Sequence, residues 1–101
     1  MNLKELKDEI EKNEIKGNYE KIVQILQNVF KEKNIDRDVK RFAEIQIKER
    51  LYNLAHDSFS DLEYEKALDF GLKGIEFNDY SLKLKKLISI SEREILRKKH
   101  F

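Results

Sequence analysis

Two segments of this 101-residue chain open on the same Tyr-Glu-Lys triplet, at Tyr19 and Tyr64, 45 positions apart. The first continues through Ile22, Val23, Ile25, Leu26, Val29 and Phe30, the second through Ala67, Leu68, Leu72, Ile75 and Phe77. In both, apolar residues return mostly at steps of three and four, the spacing of one face of an amphipathic helix. Self-similarity at a period of roughly 20 to 50 residues marks stacked supersecondary units. The constraint is therefore a repeated helical unit whose apolar faces need a neighbour.

Composition agrees with helices. Charged residues make up 41% and hydrophobic residues 40%, with Gly 3 and Pro 0. Such a charged share belongs to long solvated helices, and periodic apolar positions that include Phe 6 and Tyr 4 argue against disorder. The formal charge is only +1, so no global field draws in nucleic acid or an anionic membrane. Cys 0 removes disulfides, thiolate chemistry and cysteine metal sites, and fits a reducing compartment. No apolar run approaches the ~18 residues that cross a bilayer, so the expectation is a cytoplasmic protein.

The expected fold is all-α with about five helices in a single domain. Asn2 caps a first helix over Leu3 to about Asn13 or Ile15, and Gly17 ends it in the left-handed conformation. Asn18 is expected to cap a second helix, Tyr19 to about Lys33. A long third helix starts at Asp36 or Arg37 and reaches Ser58 or Phe59, its apolar residues running from Val39 to Ala55. Asp61 is placed to cap a fourth helix, which ends near Phe77 before a turn at Asn78 and Asp79. A fifth carries Leu82, Leu84, Leu87, Ile88, Ile90, Ile95 and Leu96 into the basic tail Arg97-Lys98-Lys99-His100-Phe101. Ala67, Gly71 and Gly74 form a small-residue stripe suited to close helix approach, since each glycine otherwise costs roughly 1 kcal/mol of helix propensity.

Leu51, Leu54 and Ala55, then Tyr64, Ala67 and Leu68, then Ile75-Glu76-Phe77-Asn78 fall in the order and spacing of a tetratricopeptide repeat, a helix-turn-helix unit of about 34 residues. The chain from Lys48 to Ser81 resembles that family. Residues 3–36 resemble it more loosely, through Gly17, Tyr19, Leu26, Val29 and Phe30. Departures are Gly71 for the usual aromatic, Gly74 at a small position, Ile22 where a small residue is expected, and no proline after Phe77. The resemblance implies two hairpins, 3–36 and 37–78, and a C-terminal capping helix over 79–101. It also implies a non-catalytic adaptor or chaperone-like module that takes a peptide or helix of another protein along the first helices. Glu49, Tyr52, Asn53, His56 and Phe59 would line that groove. In members that grip a terminal carboxylate, the gripping positions correspond here to Lys7, Asn53 and Lys83, while Glu11 and Leu87 break the set.

Other constellations are weaker. His56 and Asp57 are adjacent on a helix, so they point about 100° apart and do not make a metal pair. Arg50 and His56 resemble the signature of HEPN-type ribonucleases, the alternative function; six helical steps set them roughly 120° apart, which opposes convergence. Lys83, Lys85, Lys86, Arg93, Arg97, Lys98 and Lys99 concentrate positive charge near the C-terminus, where they suit a helix dipole. Tyr80 and Phe101 are candidates for a sticky end surface and a homo-oligomer contact. No serine with a base, phosphate loop or convergent carboxylate pair supports an ordinary enzyme, and neither cofactor nor metal is expected.

Overall fold

Asn2 begins the structure, a computed structural model, by accepting at its Oδ1 from the Glu5 N–H at 2.8 Å, while its Nδ2 donates back to the Glu5 carboxylate at 3.0 Å. This reciprocal cap starts α1, Leu3–Ile15. The structure describes residues 1–77 and 81–99, and the described residues are helical with no strand: α2 is Tyr19–Lys31, α3 Arg37–Ser60, α4 Tyr64–Phe77 and α5 Leu82–Lys99. Asn78, Asp79, Tyr80, His100 and Phe101, which carried the expected turn and the candidate sticky surface, lie outside the described residues.

The chain divides into two units, Met1–Arg50 and Leu51–Phe101, the boundary falling inside α3. In the first, α1 packs on α2 and buries Leu6, Ile10, Ile22, Val23, Leu26 and Val29. Lys7 lies over the Phe42 ring at 5.3 Å, and Arg50 bonds the Glu14 carboxylate and Gln46 Oε1, tying α1 to the first part of α3. In the second, α4 packs on α5 and also meets α3. A Cβ built on Gly74 would stand 2.9 Å from Leu84 Cδ1 and 3.6 Å from Leu51 Cβ, and one on Gly71 would stand 2.8 Å from Ile88 Cγ1. The glycines are thus where α5 comes closest.

The 45-residue offset extends beyond the triplet. α1 ends at Ile15 and α3 at Ser60; α2 starts at Tyr19 and α4 at Tyr64; α3 starts at Arg37 and α5 at Leu82. Buried positions follow the same register: Leu6 with Leu51, Ile10 with Ala55, Ile22 with Ala67, Leu26 with Gly71 and Val29 with Gly74. So do the buried polar residues Asn13 and Ser58.

The turns match too. Asn18 N–H donates to Asn13 O at 2.9 Å and Gly17 N–H to Glu14 O at 3.0 Å; Glu63 N–H donates to Ser58 O at 2.8 Å and Leu62 N–H to Phe59 O at 3.0 Å. Each pair is a Schellman closure around a left-handed residue, Gly17 at φ 73° and Leu62 at φ 64°. One hairpin geometry is built twice, in each unit by itself.

Three expectations need correction. The Asn18 side chain makes no capping bond, because the Schellman closure already commits its backbone N–H and leaves its φ/ψ outside the extended region a cap needs. Asp61 does not cap α4: its amide closes α3 on Asp57, and Glu63 holds the position before Tyr64. The buried face of α4 consists of Ala67, Phe70, Gly71 and Gly74, while Leu72 is 50% exposed. Two glycines let α5 approach on their own side, so the face centres on Gly71 and not on the larger Leu72.

Candidate functional site

In the second unit the C-terminal half of α3 and the N-terminal half of α5 border an open cleft of about 380 Å³. From α3 come Tyr52, His56 and Phe59, at steps of four and three; from α5 come Lys83, Lys86, Leu87 and Ile90, at 0, 3, 4 and 7 in the helical count. α4, wedged against both helices at Gly74, lies behind. Closing the α4–α5 contact through missing side chains is what brings α5 to this position.

Leu87 is buried and forms part of the floor, with Ile90 half-buried beside it. Phe59 is held by Tyr64 in an edge-on contact, centroids 5.3 Å apart. Tyr52 and His56 stand 6.1 Å apart and tilted by 34°. His56 Nδ1 lies 3.8 Å from the exposed Asp57 carboxylate. Lys83 and Lys86 are exposed on the α5 side, and neither has an ion-pair partner among the described residues. Lys86 has no acidic residue three or four positions away on its own helix. The cleft thus has an apolar floor, an aromatic wall and a lysine rim.

Four of the seven residues singled out in the sequence, Tyr52, His56, Phe59 and Lys83, line this cleft. Asn53 and Glu49 are exposed on α3 and do not line it, and Lys7 is engaged with Phe42 in the first unit. Sequence reasoning missed the α5 wall of Lys86, Leu87 and Ile90. The signal was available in the four-position stripe that begins at Lys83. Arg50, the arginine of the HEPN-like pair with His56, is held by Glu14 and Gln46.

The register supplies an internal control. The first-unit counterparts of Tyr52, His56 and Phe59 are Lys7, Glu11 and Glu14, and those of Lys83, Lys86, Leu87 and Ile90 are Asp38, Arg41, Phe42 and Ile45. There Lys7 covers Phe42, the position equivalent to Leu87, and Glu14 is taken by Arg50. Both signs of charge are present there, with Lys7 and Glu14 engaged, where the second unit has an aromatic wall and two lysines with no ion-pair partner among the described residues.

A second cleft, of about 550 Å³, lies where the start of α4 faces the end of α5. Glu63 and Glu65 stand there with Lys98 and Lys99, and Lys98 sits 5.3 Å over the Tyr64 ring. Its lining sets two carboxylates against three lysines, Lys66, Lys98 and Lys99, and Lys98 covers the Tyr64 ring, so charges of both signs stand close together and the ring face is taken. Among the described residues no group of three or more His, Asp or Glu could hold a metal, and no helix is long and apolar enough to cross a membrane. Comparisons with family models, curated proteins and solved structures return no match.

Proposed function

We propose that the chain is a non-catalytic, cytoplasmic protein-interaction module, a divergent pair of tetratricopeptide-like hairpins with a capping helix, which takes a peptide or helix of another protein in the α3–α5 cleft. The single observation that carries the reading is the convergence of Tyr52, Phe59, Leu87 and Ile90 on one open cleft. Aromatic and aliphatic side chains left around a concavity, with polar groups only at its rim, suit apolar anchors from a partner. The doubled hairpin supports a repeat architecture, whose first helices present such a surface. Arg50 is held by Glu14 and Gln46, so the ribonuclease alternative gains no added support.

The test is site-specific photo-cross-linking in cells. A benzophenone amino acid replacing His56 should yield discrete adducts with partner proteins, and adducts should be absent when it replaces exposed Asn28 on α2. Adducts of equal yield and pattern from both positions would end the proposal. Loss of the adducts in a Tyr52→Ala chain is the confirming control.

A further inference from the structure

We infer that the guest of the α3–α5 cleft is a short acidic amphipathic helix, its apolar side chains entering between Tyr52, Phe59 and Leu87 and its carboxylates, one turn apart, pairing with Lys83 and Lys86. The inference rests on the peptide-binding reading above and names the chemistry of the partner. Charge complementarity carries it. The rim offers two exposed cations with no ion-pair partner among the described residues, and no carboxylate lines the cleft.

Geometry selects the helix. Positions 83 and 86 are neighbours on one face of α5, with Cβ atoms about 5–6 Å apart. Carboxylates three or four apart on a helical guest stand about 5–6 Å from one another, whereas same-face side chains of an extended guest are about 6.6 Å apart. From Lys83 to Ile90 the cleft runs for about 10 Å, two turns of helix. A terminal carboxylate held by lysine and asparagine is disfavoured, because Asn53 does not line the cleft.

RNA could use lysines and aromatic rings as well. Here Phe59 is held edge-on by Tyr64, and Tyr52 leans on His56. A peptide is favoured.

The experiment selects random phage-displayed peptides of about twelve residues against the full chain, in parallel with the K83E/K86E and Tyr52→Ala chains, each first checked for unchanged helicity by circular dichroism. Wild-type binders should carry paired Asp or Glu three or four apart beside Leu, Ile or Phe. They should weaken about tenfold on K83E/K86E by fluorescence anisotropy, the scale of two exposed ion pairs. Binding should be lost on Tyr52→Ala and unchanged on Lys7→Ala. Binders without acidic residues that are still lost on Tyr52→Ala would overturn the acidic guest and leave the cleft reading standing. No binders, or binders indifferent to Tyr52→Ala, would overturn both. An oligouridylate that binds wild type and not K83E/K86E, with no peptide selected, would replace the peptide by nucleic acid.

Discussion

Ile88 closes over Gly71 so tightly that a Cβ on the glycine would stand 2.8 Å from its Cγ1. The contact is a consequence of two glycines on one face of α4, and it decides how near α5 can come. Gly71→Ala gains about 1 kcal/mol of helix propensity but overpacks against a β-branched side chain that is stiff at χ1, a cost of about 1–3 kcal/mol. A net loss of about 1 kcal/mol is expected. At Gly74 the nearest atom is a terminal methyl of Leu84, which gives more easily, so Gly74→Ala should be near neutral. Urea unfolding midpoints read the difference; two alanine variants both more stable than wild type would contradict the packing described.

Leu62 and Gly17 hold the same place in the two hairpins with opposite costs. A non-glycine residue in the left-handed region carries roughly 1–2 kcal/mol of steric penalty. Leu62→Gly should therefore stabilise by about 0.5–1 kcal/mol after the added freedom of the unfolded chain is counted. Gly17→Ala should destabilise by about 1 kcal/mol, and since nothing lies within 4 Å of the added Cβ, the loss is purely conformational. Thermal midpoints moving in the same direction for both substitutions would refute the assignment.

Two asparagines that precede helices should behave differently. Asn2 caps α1 through its side chain, and Asn2→Ala should cost about 1 kcal/mol. Asn18 makes no side-chain capping bond, so Asn18→Ala should stay within about 0.5 kcal/mol of wild type. Calorimetry on the two single variants distinguishes them, and equal losses would show a capping bond at Asn18 in solution.

Ser91 is fully buried on α5, and its hydroxyl has no hydrogen-bond partner among the described residues. Burying an unpaired hydroxyl costs about 1–3 kcal/mol, while a methyl of similar size costs nothing of that kind. Ser91→Ala should raise the unfolding free energy by about 1 kcal/mol. A fall on substitution would reveal a partner for the hydroxyl.

Helix positions were legible because stop signals and periodicity agree. Gly17 ends α1 and Tyr64 opens α4 where the pattern predicts. The 45-residue offset was readable from Tyr19 and Tyr64 together with the apolar stripes that follow them. The α3 side of the cleft, Tyr52, His56 and Phe59, was legible through the family pattern; the α5 side was not, because a stripe mixing lysine with leucine and isoleucine reads equally well as a solvated flank. Leu62 gave no warning, since leucine has no preference for the left-handed region and only the hydrogen bonds around it impose that conformation. Leu72 was misplaced and Phe70 overlooked because glycine leaves the apolar stripe without a centre, and periodicity cannot say on which side a neighbour will press.

The ammonium of Lys7 resting on Phe42 separates two copies of one hairpin into different trades. Tyr52 lines an open cleft, whereas its counterpart Lys7 covers the ring at the position equivalent to Leu87, so only the second unit presents the proposed binding surface. If the guest proposed above binds, a titration should therefore plateau at one equivalent, and avidity would have to come from joining whole chains together.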